Sequence, residues 1–199
     1  MGCLKNVLRA IILVLAFFGF LSLGGKELIV NLVNNYLNPS QDVMQQRAMK
    51  VGDFSQINDE FEIEKAAGIM GYNAVVAEHK ASGQKMFVVD SGDKIILTPE
   101  DIKSDKVEEK LQKAISKVKY QAISVDDLRI TKYGTLVSYG KEVPYVKFEA
   151  KVKKLPIGDV GGIVSVVETK AGEQRLLVSA NEKNKYSQLI ADEFFRKIK

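Results

Sequence analysis

The apolar positions of this chain change their spacing along its length, and each change marks a predicted element. The first stretch has no period at all. Ala10-Ile11-Ile12-Leu13-Val14-Leu15-Ala16-Phe17-Phe18-Gly19-Phe20-Leu21 runs on to Gly25 without a charge, with Lys5 and Arg9 before it and Lys26 and Glu27 after it. Leu28, Ile29, Leu32, Val33, Tyr36 and Leu37 then recur at helical spacing. Asn38-Pro39 stops that helix, and Ser40 is placed to cap a second one through about Met49. From Glu60 the period falls to two: Phe61 and Ile63 alternate with Glu60, Glu62 and Glu64, as in a half-buried strand. Asn73 to Glu78 and Met86 to Val89 predict a hairpin around Ala81-Ser82-Gly83.

Thr98-Pro99-Glu100-Asp101 is a helix start, with a capping hydroxyl, proline at the first helical position and acids in the first turn. Val107, Leu111, Ala114, Ile115 and Val118 form the stripe of the helix that follows. Strand alternation returns at Leu128 and Ile130, and most clearly at Val146, Phe148, Ala150 and Val152. Gly134 and Gly140-Lys141-Glu142 read as turns, and Gly158-Asp159-Val160-Gly161-Gly162 as a turn before a strand. Ile163 to Glu168 and Arg175 to Ser179 make a second hairpin around Lys170-Ala171-Gly172. A last helix runs from about Glu182 to Ile198, with Tyr186, Ile190, Phe194 and Ile198 on its inner face.

The uncharged N-terminal run is a membrane-inserting segment. A spanning helix needs roughly 20 apolar residues, and the run reaches that length if Arg9 snorkels its guanidinium to the headgroups. The membrane is thus a partner through residues 8–25. Ser22-Leu23-Gly24 is the one cleavage-like site, so a cleaved signal and a secreted protein form the alternative. Lys5 and Arg9 outnumber Lys26, which puts the N-terminus in the cytoplasm and residues 26–199 outside it, in a single-pass arrangement. Cys3 precedes the apolar run, which excludes a lipoprotein cysteine, and Asn6 stands where a myristoylation motif needs Ser or Thr.

The two hairpins match each other. Laid 90 residues apart, Val76 meets Val166, Glu78 meets Glu168, Lys80 meets Lys170, Gln84 meets Gln174 and Val88 meets Val178. The expected fold is therefore α+β: an N-terminal membrane helix, then antiparallel sheet with packed helices, built from a duplicated strand–hairpin–helix unit. The domain plan is an anchor (1–25), an amphipathic helical connector (26–57), repeat 1 (58–120) and repeat 2 (121–199).

Composition alters this picture only in part. With 46% hydrophobic and 27% charged residues the chain is a folded protein. The net charge of +4 is mild and the lysines are scattered, so nucleic acid is not an expected partner. Cys3 is the one cysteine, so no disulfide framework holds the domain. A single histidine, His79, cannot build a multi-histidine zinc site. No zinc motif, nucleophile elbow or calcium loop is present, so no metal, cofactor or catalytic residue is assigned.

Candidate binding residues are Glu78, His79 and Lys80 on the first hairpin and Glu168 and Lys170 on the second. If the copies face each other, Glu78 and Glu168 approach across their axis, and a carboxylate pair held about 5 to 9.5 Å apart can do acid–base work. The simpler account pairs each Glu across its own hairpin, with Lys85 or Arg175. The resulting expectation is a membrane-tethered, non-enzymatic extracytoplasmic domain that binds a protein or envelope component. A surface hydrolase or transferase with a carboxylate site between the repeats is the first alternative, and a secreted inhibitor or binding protein the second.

Overall fold

Every run of period two becomes a strand, and all of them join one antiparallel sheet. The computed structural model describes residues 41–69, 72–90, 92, 97–116, 124–153 and 159–199. The strands are β1 (Phe61–Ile69), β2 (Tyr72–His79), β3 (Gln84–Asp90), β4 (Ser124–Ser138), β5 (Lys141–Lys153), β6 (Asp159–Glu168) and β7 (Gln174–Glu182). They lie in the order β1-β2-β3-β7-β6-β5-β4. The helices among these residues are α1 (Gln41–Met49), α2 (Pro99–Lys103), α3 (Val107–Ser116) and α4 (Gln188–Arg196). The predicted N-terminal membrane segment and the helix predicted over 26–37 fall outside the described residues. Among those described, no helix is long and apolar enough to cross a membrane.

Both faces of the sheet are covered. On one, Val76, Phe87, Val146, Phe148, Val164 and Val178 pack against Ile102 of α2 and Val107 and Leu111 of α3. On the other, Val75, Met86, Val88, Tyr145, Ile163 and Leu177 pack against Ala191, Phe194 and Phe195 of α4 and Ile198 just beyond it. Residues 41–57, read from the sequence as a connector, supply Ala48, Val51 and Phe54 to this second core. Two-sided burial explains why β6 and β7 are buried at almost every position instead of at alternate ones.

Local sequence sets the edges of these elements. Thr98 caps α2 in a reciprocal box with Asp101, as its spacing predicted. The last helix starts later than its periodicity suggests: residues 183–187 form turns, and α4 begins at Gln188. The fully buried Gln84 fixes that start, because its amide nitrogen donates to the Ser187 carbonyl at 2.9 Å and its oxygen accepts from the Ser187 N–H at 2.8 Å. In β1 a bulge falls between Ile63 and Lys65, so Phe61, Ile63 and Ala66 all reach the same core despite their broken alternation.

Three glycines predicted in turns have other roles. Gly134 lies within β4 opposite Tyr145, and a Cβ there would come within 2.6 Å of the tyrosine ring. Gly161 and Gly162 lie within β6, not in a loop. A Cβ on Gly162 would sit 2.8 Å from the Phe148 ring opposite it and 2.2 Å from the Ser179 carbonyl. Glycine at these places makes room for an aromatic neighbour on the next strand.

The hairpins β2–β3 and β6–β7 sit side by side through β3 and β7, with their tips at opposite ends of the sheet. The gapless match between them holds along β2 and β6 but not along β3 and β7. Glu78 pairs with Lys85, whereas Glu168 pairs with Gln174, one residue short of Arg175. Measured from the matched glutamates to their cross-strand partners, the second tip is one residue shorter, so Phe87 and its sequence counterpart Leu177 face opposite cores. The helices that follow the two hairpins likewise cover opposite faces, α2 and α3 on one and α4 on the other.

Arg175 closes the end of the sheet that carries the second tip. It is 3% exposed. Its Nε donates to the Val51 carbonyl at 3.0 Å, and Nη1 to Asp90 at 2.9 Å. Its Nη2 donates to Glu173 at 2.6 Å and, more weakly, to the Lys50 carbonyl at 3.5 Å. Tyr139 donates its hydroxyl to the same Val51 carbonyl at 2.7 Å. This clamp ties the residue 50–51 turn to β3, β7 and the β4–β5 turn.

Two outcomes are expected from equilibrium urea unfolding. Arg175→Ala leaves Asp90 and the Val51 carbonyl short of a partner and is expected to cost about 3–5 kcal/mol. A chain beginning at Asn58 lacks Val51 and Phe54 as well as two acceptors of the clamp. It is expected to be less stable than one beginning at Gln41 by at least about 4 kcal/mol. Equal midpoints for the two chains would show that residues 41–57 are dispensable to the core.

Candidate functional site

Two charged surfaces emerge, one anticipated from sequence and one not. The first lies at the tip of the β2–β3 hairpin. Glu78 faces Lys85 across the hairpin and is ion-paired to it. The same ammonium lies 2.8 Å from Glu64 of β1. Glu64 reaches it because it is the extra residue of the β1 bulge. Partial burial, and then the hydrogen bond to Glu78, raise the Glu64 carboxyl above the ordinary glutamate value. Partial burial also opposes ionisation of Glu78, but its bonds to Glu64 and Lys85 outweigh it and hold that carboxyl below the ordinary value. The cluster is therefore a lysine between one ionised carboxylate and one reluctant to ionise.

His79, next in the chain, points to the other face. Its ring lies edge-on to Phe61, with centroids 5.2 Å apart, and its Nδ1 is 2.9 Å from the Ser82 hydroxyl. Ser82 Oγ also accepts the Gln84 N–H at 3.2 Å, so the serine is committed to closing the turn. Lys80 is exposed, and its backbone N–H donates to Glu60 at 2.8 Å.

Glu168 and Lys170 lie at the far end of the sheet, since β2 and β6 run in opposite directions with β3 and β7 between them. Both are exposed, and the Glu168 carbonyl accepts from Lys141 Nζ at 2.7 Å. The structure thus joins Glu78 to Lys85 and Glu64, and does not bring Glu78 and Glu168 together. The Glu168–Arg175 pair also fails to form, because Arg175 turns inward to Asp90. Among the described residues no group of His, Cys, Asp and Glu side chains is placed to hold a metal ion.

The second surface lies across β4 and β5, on the face that carries α4. Val146, Phe148 and Ala150 point to the opposite core, so Lys147 and Glu149 point to the α4 side. A bulge after Ile130 sets Lys132 directly opposite Lys147. Like charges opposed across strands destabilise a sheet. Arg129, on the same side, is paired in register with Glu149, yet the Glu149 carboxylate bonds Lys183 at 2.7 Å. Lys147 Nζ lies 5.4 Å from the Tyr186 ring centre. Burial, with the nearby Asp192 carboxylate, pushes the Tyr186 phenol up, so the ring stays neutral. Among the described residues Arg129, Lys132 and Lys147 make no ion pair. Periodicity had marked the β5 lysines only as the solvent side of a strand, and their crowding depends on the bulge.

Comparison with known proteins adds little. No family model matches the chain, and no curated protein matches it. Among solved structures it is similar to the solution structure of cyanobacterial PsbP (CyanoP) from Synechocystis sp. PCC 6803, at 12% sequence identity and a TM-score of 0.40, over 71% of this chain and 86% of that one.

The carboxylate cluster has a pH signature. Glu78, with its lowered value, contributes stability above the unfolded value of 4.5 that is lost as pH falls through the folded one. Glu64, with its raised value, contributes most below 4.5 and loses that contribution as pH rises. Glu78→Gln is therefore expected to lower stability by about 1 kcal/mol near neutral pH, with the loss fading in acid. Glu64→Gln is expected to become relatively more favourable from about pH 4 to 7. Thermal melts of both variants across that range check the opposite trends.

Proposed function

We propose that this chain is a non-enzymatic binding module, anchored in the membrane by residues 8–25 and presenting its sheet domain on the extracytoplasmic side. The observation that supports it best is the pair Lys132 and Lys147, opposed across β4 and β5 with Arg129 beside them and, among the described residues, no carboxylate bound to any of the three. Lys147 lies over the Tyr186 ring, but among the described residues no ion pair offsets the like-charge opposition, and an external anionic partner would offset it. The hairpin cluster of Glu64, Glu78 and Lys85 is a smaller polar feature that braces β1 against β2 and β3. In the same reading the two hairpins descend from one unit, with their second strands shifted by the shorter second tip. The hydrolase alternative loses its geometry, since Glu78 and Glu168 stand at opposite ends of the sheet.

The fold and the partner make separable demands. Lys132→Gln is expected to raise stability by about 0.5 kcal/mol, through relief of the like-charge pair. A large loss would show instead that the lysine serves the fold. For the anchor, the full chain is expected to stay in the membrane pellet after alkaline carbonate extraction, and a C-terminal tag to be digested when intact cells are shaved with protease. A soluble form beginning at Gly25 would overturn the anchor.

A further inference from the structure

The basic face carries one more feature, which narrows the chemistry of its partner. Leu189, in the first turn of α4, is 80% exposed, the most exposed large apolar side chain among the described residues. Its neighbour Gln188 accepts from the Tyr186 hydroxyl at 3.2 Å, and Tyr186 carries Lys147 over its ring. A projecting leucine therefore follows Gln188 on the helix that covers the same sheet face as the cations. Ala191, Phe194 and Phe195 are buried on the inner side of α4, which leaves Leu189 and the exposed Arg196 on its outer side. The carboxylates on this face are engaged elsewhere: Glu149 with Lys183, Asp127 with Lys151 and Glu193 with Asn58. Asp192 accepts from Gln188.

We propose that this face docks on an anionic lipid bilayer, with Arg129, Lys132 and Lys147 at the headgroups and Leu189 inserted among them. Cations flanking an exposed apolar side chain suit the interface between headgroups and acyl chains, where charge and insertion act together. An acidic protein would satisfy the lysines but would give an isolated leucine no apolar environment. The chain's own geometry favours the bilayer. This inference rests on the membrane anchor proposed above, and fifteen residues separate Gly25 from α1. Even fully extended they span only about 50 Å. The chain enters the domain at α1, which packs on β1 and β2 over the face that carries α4, so the anchor attaches over the same face as the basic residues, from the opposite edge of the sheet. Tethering at this range raises the effective concentration enough for weak contacts to persist.

The test uses the full chain with Cys3→Ser and Leu189→Cys, labelled with an environment-sensitive fluorophore. It is mixed with vesicles of phosphatidylcholine alone, or with about one-third phosphatidylglycerol, the range in which surface charge attracts basic residues. With the anionic lipid the label is expected to brighten, shift to the blue and be quenched by nitroxide-labelled acyl chains. Raised salt is expected to reverse this. Lys132→Gln with Lys147→Gln is expected to weaken the docked state about 25-fold, roughly fivefold for each basic residue removed. Identical spectra in the two vesicle types would overturn the proposal, as would a signal indifferent to both lysines. Lysine-dependent binding of the free polyanion polyglutamate, with no response to anionic vesicles, would overturn it in favour of an acidic protein.

Flotation separates this result from the anchor. A chain that floats with phosphatidylcholine vesicles but shows no lipid-dependent signal keeps its anchor and loses the docking face. A chain that floats only with anionic vesicles, in a lysine-dependent way, keeps the docking face and loses the anchor.

Discussion

The buried guanidinium of Arg175 is the constraint on which the domain's assembly depends. A charge 3% exposed is tolerated only where its donors are met, and Arg175 meets them with Asp90, Glu173 and main-chain carbonyls at residues 50, 51 and 174. Those acceptors come from different parts of the chain: the turn after α1, the end of β3 and the start of β7. The arginine has its partners only when all of them are in place. The β4–β5 turn is drawn in as well. Tyr139 holds a positive φ of 50°, unusual for a bulky residue, beside Gly140 at 70°. Its ring is kept there by the bond to Val51 and by the bare Gly52, where a Cβ would lie 2.7 Å from the tyrosine hydroxyl. Burial, with the Asp90 and Glu173 carboxylates and against the opposing Arg175 charge, pushes the Tyr139 phenol well above its usual range, so it stays a donor.

From this end the sheet is organised by what covers each face. Helices on both sides leave only the tips, the edges and a few outward positions for polar contacts. At the first tip the polar residues are satisfied internally, as Glu64, Glu78 and Lys85 bind one another and His79 and Ser82 close a turn. On β4 and β5, Glu149 and Asp127 pair with Lys183 and Lys151, while among the described residues Arg129, Lys132 and Lys147 have no carboxylate partner. Charges and bulges on an exposed edge strand also discourage pairing with another chain, and β4 has two bulges beside Arg129 and Lys132. Edge protection does not require Lys147, which stands on the inner neighbour β5. Lys147 does lie over the Tyr186 ring, but among the described residues no carboxylate offsets the opposition of the two lysines.

Much of the element plan was legible before any coordinates. Period-two runs, the Thr98-Pro99 helix start and the Val107–Leu111 stripe are local signals, and local sterics and capping decide them. What was misread has a common cause. Glycine frees the backbone and so signals a turn, but Gly134, Gly161 and Gly162 each lie within a strand, and at Gly134 and Gly162 a neighbouring ring needs the space of a side chain. The hairpin match does not extend along the second strands because the second tip has one residue fewer, which inverts every side chain after it. Glu64 joined the candidate site, and Glu168 left it, through a bulge and through strand order, neither of which periodicity reports.

By itself the sequence determined the α+β class, the antiparallel hairpins, the absence of a disulfide framework and the apolar character of residues 10–25, because these follow from residue type and spacing. Only the tertiary structure decided that the two hairpins share one sheet and that residues 41–57 complete its core. It alone decided that Arg175 faces inward while Lys132 and Lys147 face each other. Those facts depend on register, bulges and which helix covers which face, which arise when distant segments pack together and have no local spacing to announce them.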